Sequence, residues 1–184
     1  MRNNPIIIPD DVMRMKPSLF RRGLCGIIDI LLFVFAILFI YKDIDITSLH
    51  DYDVYEMKTT IICGNMSVFL YYAVMHAKYG MTIGKMIGGC RVVMMDGTKI
   101  TIAAAVKRAF FQEGVLLFVN LSSFMLKMID VSIHTEMMLW YEIYWFVDLL
   151  FIVLDYDSNR AIHDALSNTM VVMKSYRVRP PYET

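Results

Sequence analysis

The sequence predicts an all-α membrane protein: a four-helix transmembrane bundle with a small cytoplasmic β-hairpin or sheet and interfacial helices. Three observations carry that expectation. Hydrophobic residues make up 57% of the 184 and charged residues 20%, more apolar sequence than a soluble domain of this length can cover. Four apolar runs, at about 24–41, 60–77, 110–129 and 137–154, approach the ~20 residues a helical span requires. Fifteen of the 18 Lys and Arg residues lie in 1–22, 78–111 and 155–184. By the positive-inside bias those segments, and so both termini, are cytoplasmic.

Residues 1–21 hold Pro5, Pro9 and Pro17 among mixed charges, which disfavours a long helix and reads as a cytoplasmic arm. The membrane domain follows at 22–155, interrupted by a cytoplasmic segment at 78–109, and a cytoplasmic tail occupies 156–184. The first apolar run is as long as a span and no small-residue cleavage site follows it, so it reads as a retained helix rather than a signal peptide.

From Leu24 to Tyr41 the only charged residue is Asp29. An ionised carboxylate at membrane depth costs roughly 2.5–3.5 kcal/mol on insertion scales, so it requires a partner, neutralisation or a wet interior. Arg22 is seven residues earlier on nearly the same helix face, yet the Cα atoms are on the order of 10 Å apart. A direct contact is therefore doubtful without a third segment. Two readings stand: Arg22 snorkels as a topology anchor while Asp29 bonds a neighbouring helix, or Asp29 belongs to a transport pathway.

The loop 42–58 carries five acids and two bases. In the second run, Asn65, Tyr72 and His76 fall at spacings of seven and four, on one helix face. Asn65-Met-Ser67 and Asn120-Leu-Ser122 match glycosylation acceptors but lie within apolar runs, so both asparagines read as interhelical hydrogen-bonders. Tyr79 to Gly89 suits a short interfacial helix with close packing at its glycines. Two β-rich runs, 91–95 and 98–101, flank Asp96-Gly97, a strong hairpin signal. Thr101 is placed to cap a helix from Ile102 to Arg108.

The fourth run sets Tyr141, Tyr144, Asp148 and Asp155 in one polar stripe, and its Trp140 and Trp145 fit an interfacial belt. Asp157 or Ser158 is placed to cap a short helix 159–167, after which 169–176 reads as a strand able to join the hairpin. Cys25, Cys63 and Cys90 are widely spaced and form no CxxC pair, so neither a disulfide framework nor a zinc site is expected. The 16 methionines are scattered and read as packing residues. No metal or cofactor is expected.

Arg22 and Asp29, then Gly80-Met-Thr-Ile-Gly-Lys-Met-Ile-Gly-Gly-Cys-Arg-Val-Val with Asp96-Gly97, Arg108, and His163-Asp164-Ala-Leu-Ser-Asn-Thr-Met-Val-Val occur in an order that resembles the RDD family of small bacterial membrane proteins. The resemblance covers nearly the whole chain. The family's arginine and two aspartates carry onto Arg22, Asp29 and Asp164, and its motif also takes in Gly84, Lys85, Gly88 and Thr169. Two departures stand out. Gly88-Gly89 replaces a usual single Gly, and Asn168 stands where Gly is usual, which stiffens that turn. The resemblance implies an inner-membrane protein of a family whose role is mostly unassigned, with transport, including sodium/proton exchange, among the suggestions.

No Ser/His/Asp arrangement, phosphate-cradling loop or metal-ligand spacing supports catalysis, and no enzyme activity is expected. His163 and Asp164 are adjacent on a helix and diverge by ~100°, so capping or anchoring suits them better than a shared substrate atom. The leading expectation is a transporter or transporter-like subunit moving a cation, a proton or a small ligand. Asp29 and Asp148 fall at comparable heights and would face one another as an ion or proton site, with Arg22 or Arg108 beside them. Four spans call for an oligomer. The alternative is an interaction module without transport: a scaffold, an assembly partner or an immunity-type protector. The expected partners are the lipid bilayer and a second copy or another membrane protein, with no nucleic acid.

Overall fold

Proline and serine set where the first two helices start in the computed structural model, which describes residues 9–40, 54–115, 117–118, 120–122, 143–144, 146–148, 150–155 and 159–179. Pro9 precedes a one-turn helix α1 (Asp10–Arg14) with Asp10 and Asp11 in its first turn, where acids complement the helix dipole. Ser18 Oγ accepts from Arg21 N at 3.3 Å, and α2 (Leu19–Ile40) begins there. It starts five residues before the predicted span, so Arg21 and Arg22 are helical and lie on the same rod as Asp29. Likewise α3 (Val54–Tyr79) starts within the stretch read as an acidic loop.

Among the described residues no helix is long and apolar enough to cross a membrane, and the four predicted spans fall only partly within those residues. What the described helices do present is exposed apolar surface. On α2, Ile27, Ile30, Leu31, Val34, Phe35 and Leu38 are all exposed. Backbone in 143–144, 146–148 and 150–154 is helical, while 140–142 and 145 lie outside the described residues, as do 123–139 and 156–158.

After α3, Thr82 Oγ1 accepts from Lys85 N at 3.3 Å and starts α4 (Ile83–Ile87). The next strand, β1 (Cys90–Met94), ends in the turn that Asp96-Gly97 predicted. Gly97 N donates to Met94 O at 2.9 Å, Asp96 Oδ1 accepts from Thr98 N at 2.8 Å, and Gly97 has φ +84. The predicted hairpin is present only in reduced form: its second arm makes two isolated bridges, Val93 to Lys99 and Thr98 to Arg179, and no named strand.

The main partner of β1 is β2 (Thr169–Met173), antiparallel, in the register Cys90↔Met173 to Met94↔Thr169. A two-stranded ribbon is marginal alone, and here both faces are covered. Cys90, Val92 and Val171 pack with Cys25, Ala104 and Ala105, whereas Val93, Met170 and Val172 pack with Val12 of α1 and Tyr176. Covering both faces explains why these strands are mostly apolar, Arg91 and Thr169 apart, instead of alternating.

Thr101 Oγ1 accepts from Ala104 N at 3.2 Å and caps α5 (Ile102–Ala109), as its sequence predicts. A π-helical turn, Phe110–Gly114, continues it, and Tyr144 Oη donates to Phe111 O at 2.5 Å. The predicted helix 159–167 is shorter in the structure, α6 (Ile162–Leu166). Asn168 has φ +52, the left-handed conformation that explains why Gly suits this position and why Asn is tolerated. Asn65 Nδ2 has no hydrogen-bond partner among the described residues, contrary to the interhelical bond expected of it.

Candidate functional site

The third residue of α6, Asp164, is fully buried and joins three elements. Its Oδ2 accepts from Arg22 Nη2 at 2.7 Å, its Oδ1 pairs with Arg108 Nη1, and Oδ2 also accepts from Ala161 N at 3.3 Å. Arg22 Nη1 donates in addition to the Asn159 carbonyl. One carboxylate thus holds α2 and α5 to the start of α6. Burial pushes the Arg108 guanidinium down to about 9 and Arg22 down to about 10, so both remain cations at neutral pH.

Arg108 extends the network. Its Nη1 also donates to Thr169 Oγ1 at 3.0 Å, and its Nη2 lies 3.2 Å from His163 Nε2. A guanidinium has no acceptor, so Nε2 accepts and the imidazole is neutral with its proton on Nδ1. That Nδ1 is 2.9 Å from Asp148 Oδ2, to which it donates. The backbone N of His163 donates to Asp148 Oδ1 at 3.1 Å. Burial, reinforced by Arg108, pushes the His163 imidazole down to about 4. The order is therefore Arg22, Asp164, Arg108, His163, Asp148, with alternating donor and acceptor character throughout.

Asp29 stands apart from this chain. It is buried and accepts from Thr82 Oγ1 at 2.5 Å, Gly84 N at 2.8 Å and Tyr71 Oη at 3.1 Å. Its carboxylate seats the first turn of α4 against α2 and α3. Gly84 makes that seat possible, because a Cβ there would overlap the Cys25 carbonyl and lie 2.8 Å from Asp29 Cγ. Gly88, one turn on, faces the Cys25 thiol in the same way.

A cavity of about 510 Å³ opens between α2, α4, α5 and the helical segment carrying Asp148. Arg22, Lys85, Arg108, Gln112, Asp148 and His163 supply its polar wall. The remaining lining is mostly apolar.

The predicted site is thus redistributed. Arg22, Arg108 and Asp148 converge on one network, and Asp29 does not join it: Asp29 bonds Thr82, Tyr71 and Gly84, while Asp148 bonds His163. Arg22 pairs with Asp164 rather than with Asp29. Among the motif residues, Gly84 and Gly88 serve the α2–α4 approach, Lys85 faces the cavity, and Thr169 receives Arg108. Sequence reasoning missed the connecting role of His163, which it assigned to capping or anchoring, and missed Thr82 and Tyr71. Thr82 carried a usable signal, a capping residue directly before an apolar-periodic turn. His163 and Tyr71 carried none, since their partners are 15 and 42 residues away in sequence.

The sequence model described as the RDD family matches residues 16–168. No curated protein and no solved structure matches the chain.

Proposed function

The chain belongs to the RDD family, and on that premise we propose that it is a multi-pass inner-membrane protein, with both termini cytoplasmic, that acts as a transporter-like subunit and not as an enzyme. Membrane insertion is supported by the exposed apolar residues of α2, a surface larger than monomeric soluble proteins ordinarily leave in water. The orientation is supported by the placement of Lys and Arg. A second copy or another membrane protein completes the pathway.

The Asp148–His163 pair is the proton-handling group, and the observation that carries this reading is the cavity wall. Of the three buried aspartates among the described residues, Asp148 alone lines the cavity, and its side-chain partner is a neutral, titratable imidazole. Asp164 is held by two cations, and Asp29 by three neutral donors. Arg22, Lys85 and Arg108 line the same cavity, a positive lining that disfavours a bound metal cation. Protonation of His163 at Nε2 removes the acceptor that Arg108 uses, so proton uptake loosens α5 from α6. That is a local event with a mechanical consequence.

In proteoliposomes of the purified chain, wild type carries solute or cation flux that depends on a pH gradient, and Asp148→Asn abolishes it while remaining monodisperse. Flux no higher than in empty liposomes points instead to the interaction module, for which the exposed α2 face is the specific support.

A further inference from the structure

The cavity beside Asp148 has a second property that proton handling does not use. One flank is Leu19, Ile27 and Ile30 of α2, and the other is Ile152 and Val153. Ile27, Ile30 and Val153 are also 53–60% exposed, so the cavity opens sideways onto the apolar surface rather than only toward water. Its size lies within the usual ~300–1,000 Å³ of small-molecule sites.

The polar lining carries one cation that is in no ion pair. Arg22 and Arg108 both pair with Asp164, whereas among the described residues the Lys85 ammonium makes no ion pair or hydrogen bond. Burial, with Arg108 nearby, pushes it down to about 8, and the Asp29 carboxylate, whose hydrogen bonds go to Thr82, Gly84 and Tyr71, partly supports its charge. Two further polar atoms are buried without partners: Gln112 Oε1 and Arg108 Nε. Buried polar atoms of this kind are normally satisfied. A cation, an unpaired donor and an unpaired acceptor thus belong to the lining of one mostly apolar cavity.

We propose that this cavity binds an amphiphile with one acidic head and an aliphatic chain, the head on Lys85 and the chain lying between Ile27, Ile30 and Val153. A small hydrophilic anion would leave the apolar walls unfilled, and an uncharged chain would leave Lys85 without a counter-ion. Asp148 also lines the cavity, and its carboxylate disfavours an acidic head beside itself, which leaves Lys85 as the head's contact. The shared chemistry occurs both in a free fatty acid and in an anionic phospholipid. Binding does not require transport, so this inference stands or falls separately from flux.

The test is displacement of a fluorescent fatty acid from the detergent-purified full chain by palmitate, hexadecanol, phosphatidylglycerol or phosphatidylcholine. Palmitate, phosphatidylglycerol or both displace the probe at least about tenfold more tightly than hexadecanol and phosphatidylcholine, as expected when a charge-assisted contact is lost. Displacement by palmitate alone assigns the free acid, and by phosphatidylglycerol alone the bilayer lipid. Lys85→Gln weakens the acidic ligands about tenfold and leaves hexadecanol unchanged, while Lys85→Arg restores the preference. Equal displacement by hexadecanol and palmitate, with phosphatidylglycerol no better than phosphatidylcholine, overturns the proposal. So does the absence of probe binding, or an unchanged preference in Lys85→Gln. Should Lys85→Gln fail to fold, the comparison of head groups on the wild-type chain decides alone.

Discussion

Asp29 and Asp164 are both buried carboxylates, yet the molecule satisfies them in opposite ways. Asp29 receives a hydroxyl, a phenol and a backbone N–H, neutral donors that fix the place of one short helix. Asp164 receives two guanidiniums and joins segments more than 50 residues apart in sequence. The first arrangement tolerates loss of charge, because its donors carry none. The second does not, since each arginine left behind is a buried cation without a counter-ion.

Asp164→Ala gives the largest expected difference between the two regions. Breaking a buried ion pair costs on the order of 3–5 kcal/mol, and here two pairs share one carboxylate. Thermal unfolding of detergent-solubilised protein should show that loss, and a change below about 1 kcal/mol would erase the contrast.

Acid probes the same network through His163. Its folded-state pKa of about 4 lies below the ordinary 6.5, so between those values the unfolded chain binds a proton that the folded chain does not. Stability therefore falls as pH drops from about 6.5 to about 4 and changes little from this group outside that window, by up to about 3 kcal/mol in total. His163→Gln should flatten that part of the pH profile, whereas Asp29→Asn should leave it intact.

The Asp29 region is tested by packing. Gly84→Ala forces α4 away from Cys25 and Asp29, an overpacking change worth roughly 1–3 kcal/mol. Urea titration of the solubilised chain measures it, and a neutral result would mean that the α2–α4 approach is looser than its geometry indicates.

What the sequence made legible follows the range of the interactions. The caps at Thr101 and the turn at Asp96-Gly97 are decided within a few residues, and both were readable. The close packing at Gly84 and Gly88 was readable as a type of contact, though its partner Cys25 was not. Strand 169–173 was expected to join the hairpin, and it does pair with β1: Val93 faces Met170 on one edge and is bridged to Lys99 on the other, while the second arm is short because 98–101 leads straight into α5. The pairing of Asp148 with His163 was out of reach: helix arithmetic sets heights along a span, and it set Asp29 and Asp148 level, but it does not say which side chains from other segments arrive first. Thr82, Tyr71 and Gly84 occupy Asp29, and His163 occupies Asp148.

The division of labour between these aspartates is the central claim, and the most direct test compares Asp29→Asn with Asp148→Asn in the same proteoliposome flux assay, normalised to folded protein. The account predicts that Asp29→Asn retains most of the wild-type pH-gradient-dependent flux, because an amide still accepts from Gly84 N and Tyr71 Oη, while Asp148→Asn retains none. Loss of flux in Asp29→Asn with Asp148→Asn active would contradict it.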